Sequence, residues 1–358
     1  MKIDIISAGD KTRLPSDEKE MPFVGDVEPL VSEPKGFAPE QMLKCEVCLR
    51  ANPPTRTSCF YCAAQLKVTE ASASLQRPTL RKLETWEQGF NVIFLPGETA
   101  QLTEEILLEA ATLLRLDQNA LRAIFETNAP LPLARAANNE EAALIERKLS
   151  EMGLSAFVIS DEDLMADATW QKRARAFEFT ESELVAYGGG GGETWRVAWD
   201  DVTLIVLGRL FTRQIEVEER RSRKTESEIL DAREMMTDEA VMDIHTTQKE
   251  LSLRISSQSF DFSCLGERKS LVTVENFSRL VEVVQERANR AAYDDSFNRV
   301  RRALAFVWPP EQRTEARGWN RSHPGRVSTE AVTTSDNEMQ LTRYSCLRRH
   351  FKLNQTEL

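Results

Sequence analysis

The chain is short of the residues that enzymes use most. It has three histidines in 358 residues. No Gly-x-Ser-x-Gly, His-Glu-x-x-His or kinase-like set occurs in it, which removes the commonest nucleophile, metalloprotease and phosphoryl-transfer arrangements. Long apolar runs are missing too. Nothing approaches the roughly 18–20 residues of a membrane span, and no transmembrane segment is expected. The opening MKIDIISAGDKTR carries no apolar stretch, so no secretory signal peptide is expected and a cytoplasmic protein is the expectation. Six cysteines, four of them in one cluster, suit metal binding better than a disulfide framework. Positive charge is in deficit: 46 Lys and Arg face 57 Asp and Glu, for a net charge of -11. That balance argues against bulk electrostatic binding to nucleic acid or to an anionic membrane.

Hydrophobic residues make up 41% of the chain and charged residues 29%, enough to bury real cores. The length suggests two or three domains. Residues 1–41 carry Pro15, Pro22, Pro29, Pro34 and Pro39 among charged and small residues and read as a flexible leader. The cysteine module follows at 42–67, then a polar linker at 68–88. Residues 89–165 alternate strand and helix signals. FNVIFLP reads as a buried strand, and Thr103 opens a helix with Ile106, Ala110 and Leu113 on one face. Asp117 opens a second helix bearing Leu121, Ile124 and Phe125. PLPLARAA is extended. A third helix, capped by Asn138 or Asn139, carries Ile145, Leu149 and Met152 and ends at Gly153. SAFVIS is the last strand.

Residues 172–292 read as β-rich. FEFTESELVAYG is one alternating segment, and TWRVAWDDVTLIVLGRLFTRQIEVEE supplies two or three more, with breaks expected at Asp200-Asp201 and Gly208. The charged run ERRSRKTESEILDAREMMTDE is expected to be a loop or short helix. MDIHT, ELSLRISS and SFDFSCL resume as strands, and VENFSRLVEVVQERANRAAYDD is a long helix with Phe277, Leu280, Val281 and Val284 inward. Residues 293–358 form a basic tail, helical at first and then irregular, with 11 Lys and Arg against 6 Asp and Glu from Ser296 onward. The fold class expected is multidomain α+β. No internal repeat is read.

The strongest chemical signal is Cys45, Cys48, Cys59 and Cys62, two Cys-x2-Cys pairs ten residues apart. Each pair makes a knuckle whose backbone N–H groups support the thiolates. Four soft sulfur ligands suit tetrahedral Zn(2+). Four protein ligands leave no open position, so the zinc is expected to be structural.

Other candidates weigh less. Gly188–Gly192 lacks the fixed spacing and following helix of a phosphate cradle and reads as a hairpin loop. His245 shares a strand face with Asp243 and reads as a paired structural histidine. Cys264 reads as inert core in an apolar strand, and Cys346 with His350 lacks the further ligands a second metal site needs. In the tail, Arg299, Arg301, Arg302, Arg348 and Arg349 with Trp308, Trp319 and Tyr344 could meet a partner's acidic surface or nucleic acid, or pack back on the chain's own acidic body.

Three resemblances follow from these residues. The cysteine spacing, with Asn52 four residues after Cys48 and seven before Cys59, resembles the RanBP2-type zinc finger. That family implies contact with single-stranded RNA or ubiquitin. Here Lys44 stands before the first cysteine in place of Trp, and Leu49-Arg50 replaces the Thr-Phe pair of ubiquitin binders. The element order of 89–161, with LPLARAANNEEAALIERKLSEMG and SAFVIS, resembles the C-terminal domain of the bacterial ribosomal stalk protein. Its glycine- and lysine-rich helix start is replaced by LRLDQNALRAIFE. Strands followed by one amphipathic helix over 176–290 resemble a bacterial pleckstrin-homology-like domain. Together these imply a non-enzymatic, zinc-binding interaction or scaffold protein with a protein partner. Two other readings stand beside it: a nucleic-acid-associated regulator using the ribbon and basic tail, and peripheral membrane binding by the PH-like domain.

Overall fold

One long strand carries two hydrophobic cores, one on each face. The computed structural model describes residues 37, 39–67, 78, 80–84, 87–97, 103–166, 168, 171–190, 192–221, 228–248, 250–323 and 326–356. The expected leader up to residue 36 and the linker at 68–77 lie outside them. The chain is mixed α+β.

The cysteine module holds a minimal two-stranded ladder, β1 (Leu43–Lys44) and β2 (Ala51–Asn52). Next come β3 (Phe90–Phe94), α1 (Glu104–Leu114), α2 (Gln118–Glu126), β4 (Leu131–Ala136), α3 (Asn139–Glu151), β5 (Ala156–Ser160) and the short α4 (Asp161–Met165). β3 is the centre of an antiparallel sheet of order β4-β3-β5. The helix starts follow local chemistry. Thr103, Asp117 and Asn138 each accept a hydrogen bond from a first-turn N–H. Gly153 takes φ +79° just past α3, where a side chain would be strained.

The β-rich part begins with β6 (Gln171–Ala174), β7 (Ala176–Phe179), β8 (Glu183–Tyr187) and β9 (Thr194–Ala198). β7, β8 and β9 form an antiparallel meander. FEFTESELVAYG is therefore two strands, because Thr180 closes a tight turn onto Glu183. The Trp199–Asp201 turn then leads into β10 (Val202–Arg221) and β11 (Glu228–Thr246). β12 (Ser252–Ser256), α5 (Thr273–Arg287), β13 (Ala292–Asp294), α6 (Phe297–Leu304), β14 (Glu311–His323), β15 (Arg326–Asp336) and α7 (Glu338–Thr356) complete the chain. The large sheet has the order β14-β15-β10-β11-β12-β6, with β13 parallel to β10.

Several expectations are corrected here. The charged run after β10's apolar half is strand, not loop or helix, wherever it is described, at 219–221 and 228–239. Its described residues extend β10 and β11 as a paired ribbon out to Arg220 and Glu228, with a register shift between Glu218 and Glu219, and residues 222–227 lie outside the described residues. The side chains of 232–238 are exposed and give no alternating apolar signal. SFDFSCL is not a strand: Cys264 lies in a 3-10 turn, Phe262–Arg268. α5 stops at Arg287, and the chain returns to the sheet as β13. The segment read as an irregular basic tail is built into the body. Trp308, Tyr344 and Arg349 are among its most buried side chains.

The strand period explains the two cores. Leu204 and Val206 of β10 face a core shared by α1, α2, α3, α6 and α7. Ile205 faces a second core built from the meander, β12 and α5, and Val202 joins it because a bulge separates it from Leu204. The αβ segment at 89–165 thus shares its core with the C-terminal helices.

Gly208 does not break β10. It is where α6 and α7 cross the strand, and a Cβ there would meet Leu341 Cδ1 at 2.6 Å and Phe297 Cδ1 at 3.1 Å. Beside it, Asn337 continues the ladder with its side chain: Phe211 N donates to Oδ1 at 2.7 Å and Nδ2 donates to Arg209 O at 3.1 Å.

The face of the sheet toward α7 is polar where β11 meets β12. Arg254 grips Asp243 through two bonds of 2.7 Å and donates to Thr342 Oγ1 at 2.9 Å. His245 bridges Ser345 at 2.7 Å and Ser252 at 3.1 Å. Arg349 reaches Ser252 Oγ at 2.9 Å and the carbonyls of Thr246 and Gln248. His245 is therefore a structural histidine, bonded to serines while Asp243 is occupied by Arg254. Burial lowers its pKa to about 4, with Asp243 opposing and Arg349 and Arg254 adding to the effect. Despite burial, Arg254 holds the Asp243 carboxyl below its ordinary range.

Two outcomes follow. Gly208→Ala should destabilise the protein by about 1–3 kcal/mol in urea unfolding, through overpacking; an unchanged midpoint would remove the close-approach account. Unfolded His245 takes up a proton near pH 6.5, and folded His245 only near 4. Stability should therefore drop as pH falls through that window, and His245→Asn should flatten this part of the profile.

Candidate metal centre

The cysteine module is two copies of one knuckle, offset by 14 residues from Cys45 to Cys59. In the first, Cys45 N donates to Arg50 O and Leu49 N to Cys45 O, both at 2.9 Å. In the second, Cys59 N donates to Ala64 O at 2.7 Å and Ala63 N to Cys59 O at 3.0 Å. Leu49 and Ala63, at matching positions, take φ of 60° and 58°. The stems match as well: Leu43 and Lys44 pair Asn52 and Ala51, while Ser58 bridges Gln65. Only the cysteines are identical between the copies, which is why no repeat is legible in the sequence.

The fold brings all four predicted ligands together. The sulfurs lie within 4.8 Å of one another. Cys45 Sγ is 3.6 Å from Cys62 Sγ, and Cys48 Sγ is 3.5 Å from Cys59 Sγ. A tetrahedron with metal–sulfur bonds of about 2.3 Å has edges of about 3.8 Å, close to these separations. No disulfide joins them. The cluster could hold a metal ion. It is the one group among the described residues in which three or more such side chains converge.

The backbone prepares the sulfurs for negative charge. The N–H groups of Cys48 and Val47 point at Cys45 Sγ and lower its pKa against burial. Burial opposes the Cys59 thiolate, yet the N–H groups of Tyr61 and Cys62 and the Asn52 amide bring its pKa down to about 6. The Ala64 N–H favours the Cys62 thiolate, but burial and three neighbouring sulfurs push that group up to about 12. Four sulfurs this close cannot all carry charge alone, and a divalent cation relieves that repulsion.

Asn52 ties the two knuckles together. It is fully buried, accepts from Phe60 N at 2.8 Å and donates to Arg50 O at 3.0 Å and to Cys59 Sγ at 3.4 Å. Its spacing from the cysteines is thus explained by geometry. The module's own apolar core is only Cys45, Cys59 and Leu66, with Leu43, Cys48 and Ala64 packed around them. So small a core does not hold a fold without a further clamp.

Besides the exposed Glu46, apolar side chains point outward from the knuckles. Val47, Leu49, Phe60 and Tyr61 are 73%, 65%, 70% and 54% exposed. Arg50 stacks over Tyr61 at 4.6 Å and Arg56 over Phe60 at 5.2 Å. In the sequence, Leu49 and Arg50 stand out as a departure from the ubiquitin-binding pair. The signal for Val47, Phe60 and Tyr61 is position: the inner residues of a Cys-x2-Cys knuckle point away from the metal.

The other candidates do not converge. Cys346 is buried in the α7 core, and His350 stacks on Phe157 at 5.9 Å. Gly188–Gly192 joins β8 to β9, closed by Gly188 N to Glu193 O at 2.8 Å. Arg348 pairs with Asp294 at 2.5 Å, and Trp308, Tyr344 and Arg349 are buried in the chain's own body, while Arg299 and Arg302 are exposed. No helix among the described residues is long and apolar enough to cross a membrane. The chain matches no protein-family model, no curated protein and no solved structure.

Elemental analysis should give about one tightly held metal ion per chain. Cys59→Ser should lose it, and Asn52→Ala should weaken retention against a chelator while leaving all four ligands in place. A folded module with no metal would contradict the site.

Proposed function

We propose that the protein is a non-enzymatic interaction or scaffold protein whose Cys45, Cys48, Cys59 and Cys62 hold one structural Zn(2+). Zinc suits a small, closed, four-thiolate site and leaves no coordination position for substrate. The observation that carries the reading is the outward patch of Val47, Leu49, Phe60 and Tyr61 on a module too small to need them for its core. Exposed aromatics braced by arginines are the composition of interface hot spots. Residues 42–67 hold Lys44, Arg50, Arg56 and Lys67 against Glu46 alone, so the partner's matching surface is apolar and acidic. On this reading the stalk-like and PH-like parts form the body from which the ribbon is presented.

A second reading has one specific support. The Arg50–Tyr61 and Arg56–Phe60 stacks offer the platform on which single-stranded bases stack. The test is a crosslinking pull-down from native cells with wild type and a Phe60→Ala/Tyr61→Ala variant, zinc content being measured on both. The scaffold reading expects equal zinc and loss of a specific protein partner. An unchanged partner set would overturn it. Nucleic acid in place of protein, bound with log affinity falling as log salt rises, would support the second reading.

A further inference from the structure

A cavity of about 430 Å³ opens where the αβ segment meets α6 and α7. Its wall is basic. Arg81, Lys82, Arg115, Arg135 and Arg343 line it against one carboxylate, Glu311. In a chain of net charge -11, that concentration runs against the average.

Some of this charge is already compensated. Arg81 holds Glu87 through two bonds of 2.6 and 2.8 Å, and Arg135 pairs with Asp161 at 2.5 Å. Glu311 is taken by Arg313 at 3.0 Å. Arg343 differs. Its Nε is buried and has no hydrogen-bond partner among the described residues. Burial lowers its pKa, and the Asp161 charge only partly offsets this because Arg135 lies nearby. A buried guanidinium N–H without an acceptor is costly, and native structures keep such groups mainly where something further supplies the acceptor.

The remaining wall is apolar: Leu116, Leu133, Phe306, Val307 and Met339. Phe306 is 53% exposed, an unusual setting for a side chain in a well-packed junction. Ligand sites of roughly 300–1,000 Å³ commonly combine such a lining with a few convergent polar groups at the seam between two structural units.

We propose that this cavity binds a small organic anion, a carboxylate or phosphate carried on an apolar body, with Arg343 and Arg115 receiving the charge and Phe306 and Met339 covering the body. The site is separate from the cysteine module and does not depend on the function proposed for it.

Calorimetric titration of the full-length chain with phenyl phosphate, benzoate and inorganic phosphate tests this. Saturable binding of phenyl phosphate or benzoate is expected, about tenfold or more tighter than inorganic phosphate, and the stronger of the two identifies the head group. Lys82→Gln/Arg115→Gln, which alters exposed side chains, should weaken binding about tenfold, and Arg343→Met should do the same. If Arg343→Met does not fold, the double variant decides alone. No saturable binding, equal affinity for phosphate and phenyl phosphate, or unchanged affinity in a folded variant would overturn the proposal.

Discussion

A buried polar strip on one face of a sheet governs this structure. Asp243, His245, Ser252 and Arg254 stand side by side on β11 and β12, each at most 4% exposed. Left against an apolar layer they would cost several kcal/mol in unmet hydrogen bonds and charge. One side of α7 supplies the partners, since Thr342, Ser345 and Arg349 recur at helical spacing. A neighbouring side carries Leu341, Tyr344 and Leu347 into the core shared with the αβ segment. The helix is thus buried widely while being polar in composition. Thr342, Ser345 and Arg349 are bonded to the strip, and Tyr344 donates to Asp294 at 2.9 Å.

A second polar junction fastens the αβ segment to the same body. Trp308 Nε1 donates to Asn91 Oδ1 at 2.8 Å, and Asn91 Nδ2 donates to Asp161 Oδ1 at 2.9 Å. Arg135 and Gly89 N complete the acceptor capacity of Asp161. Asn91 sits on the central strand β3, so the bond from Trp308 crosses from the C-terminal region to the middle of the small sheet. Both cores use β10, one on each face, while α7 lends its apolar side to the first core and bonds the polar strip of β11 and β12. The anion cavity lies along this seam. The cysteine module has its own small core and its own two-knuckle frame.

What was legible in the sequence was local chemistry. Thr103, Asp117 and Asn138 cap helices because a side-chain oxygen finds an N–H two or three residues on, and that needs no tertiary context. The stripe of Phe277, Leu280, Val281 and Val284 was readable because the helix buries one face only. The four cysteines were readable because metal ligation fixes both residue type and spacing. The rest depended on distant partners. β10 and β11 extend through charged residues because the ladder hydrogen bonds are met by a neighbouring strand, and a charged sequence carries no apolar period. Gly208 looked like a breaker because Leu341, which fills its empty side, lies far along the chain. α7 looked like a loosening tail because Ser345 and Arg349 gain their burial from β11 and β12. Arg343 was one basic residue among many until the cavity singled it out.

The anion cavity rests on a body that holds its shape as one unit through α7. Native-state hydrogen exchange tests that most directly. The amides of Val92–Phe94 in β3 report one core and those of Leu253–Ile255 in β12 the other. Arg349→Met removes bonds made only to the β12 side of the sheet. If α7 couples the cores, the opening free energies of both strands fall by the same amount. Loss of protection confined to β12, with β3 unchanged, would contradict the account.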